Sequence, residues 1–136
     1  MNYREFLTKE KKPIGKEVWI CDFRLNYKQD LKPIRNVVPT LVKIVDNNEL
    51  PSNKIVYYSN FHFRPINKNG KVLKKIIAPF DNTGNRSYTG VSVNIFYSKE
   101  ACLSYFDKQC DKAIELYGIK INSIKKKIQD IEDLKE

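Results

Sequence analysis

The stretch "VSVNIFYSKEACLSYFDKQC" (91–110) decides the fold, because its residue pattern changes partway along. Residues 91–97 read as the last strand of a β-rich part. From Ser98 the pattern turns helical. Leu103, Phe106, Cys110, Ala113 and Tyr117 recur three or four residues apart and make one apolar stripe. Ser98 is a good N-cap, and Glu100 complements the dipole of the first turn. A strand feeding directly into a helix, with strand signals upstream and helical ones downstream, predicts an α+β protein.

Working back from Val91, "PFDNTGNRSYTG" (79–90) is polar and rich in turn formers, with twelve residues between two apolar runs. Before it, "KVLKKIIAPF" (71–80) pairs back on "KIVYYSNFHFRPI" (54–66) across "NKNGK", whose Asn69-Gly70 suits the left-handed geometry of a tight turn. "VVPTLVKIV" (37–45) is a strand that Pro39 confines to an edge or a bulge. "EVWICDFR" (17–24) is another, with Trp19, Cys21, Phe23 and Leu25 on one face and Asp22 and Arg24 on the other; alternation assigns Trp19 and Phe23 to the core. "LNYKQDLKPIRN" (25–36) reads as a loop. Residues 2–10 form a short helix with Tyr3, Phe6 and Leu7 on one side, stopped by Pro13 and Gly15. The sum is a small antiparallel β-barrel or curled sheet of five to six strands, SH3-like or OB-like in size.

Working forward, Gly118 is placed to end the first C-terminal helix. A second helix then carries a narrow seam, Ile121, Ile124, Ile128 and Ile131. The expected organisation is one domain over 1–136: a β-rich part (1–97), then a helical hairpin (98–136). The last helix has Lys125, Lys126 and Lys127 in its N-terminal half and Asp130, Glu132, Asp133 and Glu136 at its end. That is the reverse of what its dipole prefers, and an antiparallel neighbour would offset it. Two readings stand for the isoleucine seam: a homodimer through residues 119–135, or packing on the protein's own first C-terminal helix or sheet.

Charge divides along the same boundary. Residues 1–80 hold 16 Lys/Arg against 7 Asp/Glu, and residues 81–136 hold 9 of each, so the net +9 sits wholly in the first part. This fits a basic face with an anionic partner; the alternative is lysine inflated by an AT-rich genome and merely solvated. The first 15 residues are too charged for a signal peptide and no apolar run approaches a membrane span, so the cytoplasm is the expected location. Three cysteines outside any CxxC pair read as reduced thiols. With His62 the one histidine, no hydrolytic triad or histidine-based zinc site can be assembled, and no Walker A, GxGxxG or HExxH motif occurs. Neither catalytic residues nor a cofactor or metal site are expected.

Binding is the better-supported expectation. Aromatic and basic residues interleave over residues 19–88, the mixture that holds nucleic acid or a nucleotide: cations follow phosphates and aromatic faces stack bases. Phe61 and Phe63 share a face, which leaves His62 and Arg64 opposite them. The candidate ligand-facing set is therefore Tyr57 or Tyr58, with His62 and Arg64, and with Arg24, Arg35, Lys74 and Lys75 as further cations. In the 81–90 loop, Arg86 and Tyr88 would clamp a phosphate and a base, and Asn82 and Asn85 would read a base edge or a ribose.

The run "VNIFYSKEACLSYFDK" (93–108), a strand passing through Phe-Tyr-Ser-Lys-Glu-Ala into a tyrosine-bearing helix, resembles small accessory proteins of bacteriophages and mobile elements and proteins of their AT-rich hosts. The resemblance implies interference with host defence: an anti-CRISPR-type inhibitor that binds a host protein or ribonucleoprotein, or a protein that sequesters a nucleotide signal. A DNA mimic would be acidic, and this chain is basic. The resemblance carries over no site residues.

Overall fold

The computed structural model describes residues 1–26, 30–50, 59–80 and 92–135. Two strands form its spine. β1 (Glu17–Asn26) and β2 (Lys32–Asp46) pair antiparallel along a long hairpin. The segment 25–36, expected as a loop, is therefore mostly strand. Its polar residues and Pro33 hide the pairing from local propensity, and cross-strand partners such as Leu25 with Pro33 supply it. Pro39 sits where the pairing steps from Ile20–Thr40 to Asp22–Val37, so β2 bulges around the residue that cannot donate to the ladder.

β3 (Phe61–Pro65) pairs with residues 42–46 of β2, and β4 (Asn94–Phe96) pairs with β1. The order is β3-β2-β1-β4, antiparallel throughout. After β3 the chain reverses through residues 67–70. Gly70 takes φ +80°, Asn67 accepts from the Asn69 and Lys71 backbone N–H groups, and Ile66 bridges Val72. Gly70 alone takes the left-handed position, and Asn69 does not.

Residues 71–80 do pair back, but through isolated bridges. Ile77 exchanges backbone hydrogen bonds with Phe63, and Pro79 and Phe80 meet Val93 and Ser92. The segment thus joins β3 to the approach of β4 and curls the sheet into a half-barrel. Among the described residues there are four strands plus this bridging segment, where five to six strands were expected.

The barrel interior is closed by α1 (Tyr3–Lys9). Asn2 caps it with Oδ1 accepting from the Glu5 N–H at 2.8 Å, and the chain before it is tied to β4 by Met1–Ile95 hydrogen bonds. Tyr3 and Phe6 are thereby dropped among Phe61, Phe63, Val18, Ile20, Val42, Ile44, Val93 and Ile95. The Tyr3 ring lies 5.2 Å from Phe61 and 4.8 Å from Phe80.

The opposite face of β1 is covered too. Trp19, Cys21 and Phe23 do share a face, as alternation requires, but it is the face beneath α2 (Lys99–Leu134) and not the barrel interior. Phe23 meets Phe106 edge-on at 6.1 Å, and Lys99 lies 5.6 Å over Trp19. Val18 and Ile20 fill the interior instead. β1 is buried on both faces and carries apolar residues on both, with Asp22 buried among them.

α2 is one helix of 36 residues, about 54 Å long. The two helical stretches expected on either side of Gly118 are its two halves, and there is no helical hairpin. Gly118 keeps ordinary helical geometry, since the positive-φ glycines among the described residues are Gly15 and Gly70. A glycine stops a helix only when it turns left-handed. Ser98 caps the start as expected, accepting from the Ala101 N–H. The first half lies on the sheet through Cys102, Phe106, Cys110, Ala113 and Tyr117. Leu103 is turned aside and 39% exposed, because the buried stripe is centred on Cys102 and Ala113. The Tyr117 hydroxyl donates to the Leu31 carbonyl at the hairpin tip, where Lys120 also pairs with Asp30. Every residue from Ile121 to Lys135 is exposed. The second half of α2 is a stalk beyond the sheet.

Candidate nucleic-acid interface

The outer face of β2 and β3 carries a row of charge. Strand pairing sets Glu17 opposite Lys43 and Lys43 opposite Arg64. The side chains of Lys43 and Arg64 face outward because Val42, Ile44 and Phe63 point into the interior. Lys43 therefore has a carboxylate, Glu17, across from it on one side and a like charge, Arg64, on the other, where the two cations repel. The next segment adds to them: Leu73 and Ile77 are hydrogen-bonded to Pro65 and Phe63, so residues 74–76 loop out beside Arg64, and Lys74 and Lys75 are exposed. Lys68 and Lys71, also exposed, stand at the adjoining turn.

Of the expected set, the backbone pairing places Lys74 and Lys75 in the segment that runs beside Arg64, and it adds Lys43 across from Arg64. The sequence signal for Lys43 is its polar position between the interior residues Val42 and Ile44.

Two expected ligand-facing residues belong elsewhere. His62 is fully buried. Arg64 Nε donates to His62 Nε2 at 3.0 Å, so the ring proton resides on Nδ1, which faces Asn47 Oδ1 at 3.0 Å. Asn47 Nδ2 donates in turn to the Ser59 carbonyl. The imidazole is a structural link between β3 and the 3-10 turn Asn47–Glu49, not a surface ligand. Burial, then the neighbouring Arg64 charge, push its pKa below 6.5 and keep it neutral. Arg24 forms a fork with Asp22, Nε–Oδ1 2.9 Å and Nη2–Oδ2 2.8 Å, and Asp22 is fully buried. The expectation that Asp22 and Arg24 share one face holds, but the guanidinium satisfies a buried carboxylate and is not presented to a ligand.

Tyr57, Tyr58, Asn82, Asn85, Arg86 and Tyr88 lie outside the described residues, as does the Arg35 side chain.

Neither of the two buried thiols is open to solvent. Cys21 and Cys102 are both fully buried, and Cys21 Sγ lies 3.8 Å from the Cys102 carbonyl oxygen. Hydrogen bonding with Cys102, then burial, push the Cys21 thiol far up, so it stays protonated. Among the described residues, no group of three His, Cys, Asp or Glu side chains could hold a metal ion, and no helix is long and apolar enough to cross a membrane. No family model, curated protein or solved structure matches the chain.

Proposed function

We propose that the protein is a basic, non-enzymatic binding module for nucleic acid, whose phosphates run along Lys43, Arg64, Lys74 and Lys75 on the outer face of a small half-barrel of the SH3-like or OB-like kind. The supporting observation is the cross-strand pairing of Lys43 with Arg64 beside a looped-out lysine pair. Like charges so placed gain from an anion that bridges them, and the one carboxylate opposite Lys43, Glu17, is outnumbered by the cations beside it. The sequence adds that all the net charge lies in residues 1–80. The 81–90 loop, with Arg86 and Tyr88, is assigned to base and phosphate recognition in the same proposal.

The test is fluorescence anisotropy with labelled single- and double-stranded oligonucleotides over a salt series. Removing one phosphate-bound cation lowers the log–log salt slope by roughly 0.7–0.9. Changing Lys43, Lys74 and Lys75 together to Gln should lower it by about 2 to 3, with Lys135→Gln as the neutral control. Absence of binding at low salt would overturn the proposal and direct attention to a host protein or ribonucleoprotein target of the anti-defence kind.

A further inference from the structure

The buried stripe of α2 does not end where the sheet ends. Cys102, Phe106, Cys110, Ala113 and Tyr117 are followed by Ile121, Ile124, Ile128 and Ile131, with steps of three or four throughout. Twenty-nine residues are crossed in eight steps, about 3.6 each, so the isoleucines lie in line with the residues that grip the sheet. Yet they grip nothing among the described residues. Ile121, Ile124, Ile128 and Ile131 are 52%, 47%, 54% and 59% exposed, and Leu134 is 81% exposed. Packing on the protein's own sheet or on an earlier helix is thereby excluded for the described residues.

We infer that this seam is covered by the same seam of a second copy of the chain, with the two stalks antiparallel. Two features fix the occupant and its direction. The first is steric. Seam and sheet share one face of one helix, so a parallel partner helix, continued toward its N-terminus, would run into the space the sheet occupies. An antiparallel partner continues away past the end of the stalk, clear of the sheet. Overlap then runs from about Ile121 to Leu134, setting Ile121 against the partner's Ile131 and Ile124 against the partner's Ile128.

The second feature is charge. Asp130, Glu132 and Asp133 crowd the C-terminal end of the stalk, Lys120 stands at its beginning and Lys125–Lys127 near its middle. The carboxylates oppose the dipole of the chain's own helix, whose last turn holds no basic residue. Antiparallel pairing lays each acidic end alongside the beginning of the other stalk, toward Lys120, and sets the two dipoles head to tail. Lys125–Lys127 meet their own copies in either direction, so the ends decide: parallel pairing would stack carboxylates on carboxylates.

The test is the mass of the full chain by light scattering and sedimentation from about 1 to 100 μM, the range where a short helical interface associates. The expected result is twice 16.0 kDa. Ile124→Asp with Ile128→Asp should give a monomer with unchanged circular dichroism, the dissociation constant rising about 100-fold or more. Direction is read by cysteine crosslinking in a Cys110→Ser background. Chains carrying Ile121→Cys should join chains carrying Ile131→Cys, and Ile121→Cys alone should not join itself, its two copies lying about 15 Å apart along the axis. A monomer at every concentration, a trimer, a dimer that survives both aspartates, or self-joining of Ile121→Cys would each overturn the inference. A monomer that sediments with vesicles containing anionic lipid would also overturn it, and would assign the seam to a membrane surface.

Discussion

Two buried polar residues control how the sheet responds to mutation and to pH. Asp22 is fully buried and answered by the Arg24 fork, while the Arg24 side chain is 23% exposed. The two partners are therefore unequal. Removing the arginine strands a carboxylate without its fork, and removing the carboxylate leaves a cation that can turn to water. Arg24→Ala is expected to cost about 3 kcal/mol, and Asp22→Asn clearly less. Urea unfolding of both variants checks this, and equal losses would show that Asp22 is better solvated than its burial implies. His62 sets the pH response. Its folded pKa lies below the 6.5 of the unfolded chain, so near neutral pH and above, both states are neutral. As pH falls through 6.5 the unfolded chain binds the proton first, and stability drops until the folded pKa is passed. The urea midpoint should fall between about pH 7.5 and pH 5, and His62→Gln should flatten that part of the fall. The role of His62 was not legible from sequence, since "NFHFRP" marks it only as lying opposite Phe61 and Phe63. Its hydrogen-bond partner is Asn47, fifteen residues earlier, which no local pattern links to it.

At the scale of elements, periodicity carried most of the information. It located α1, β1, the 67–70 turn and the start of α2, because each is set by local chemistry: a capping Asn or Ser, a left-handed Gly, a two-residue alternation. It misled at Gly118 and over residues 25–36, where partners distant in sequence decide. Tyr117 and Lys120 reach the tip of the β1–β2 hairpin on either side of Gly118, and hold the helix straight through a residue that would otherwise invite a stop. A glycine in that position has a testable consequence. An added Cβ would meet nothing within 4 Å, and the backbone is already helical. Gly118→Ala should therefore stabilise the protein by about 1 kcal/mol, measured by thermal or urea unfolding. Destabilisation would mean that the helix breaks there in solution. Tyr117→Phe, which removes the hydroxyl bonded to Leu31, should cost about 1 kcal/mol and speed amide exchange at the hairpin tip.

For the whole molecule, the proposed basic face and the proposed stalk pairing have a joint consequence that neither has alone. With Ile121 set against the partner's Ile131, the two copies of Ala113, where α2 lies on its sheet, stand about 40 Å apart along the stalk axis. Two phosphate-binding faces held at that separation bind a long nucleic acid twice, the second engagement being intramolecular. A duplex rises 3.4 Å per base pair, so about 10 base pairs cannot reach both faces and about 30 can. The dimer should then bind the longer duplex tighter by more than the added number of sites explains, with increases of about 10²–10⁴ typical where geometry permits both engagements. Ile124→Asp with Ile128→Asp should remove that increase and leave the short duplex bound as before, because neither residue is near Lys43, Arg64, Lys74 or Lys75. Anisotropy titrations of two lengths against two proteins give the answer directly. A length effect that persists in the double variant would assign it to non-specific lattice binding. Its absence in the intact dimer would mean that the two faces point away from any common ligand, and that the stalk serves assembly alone.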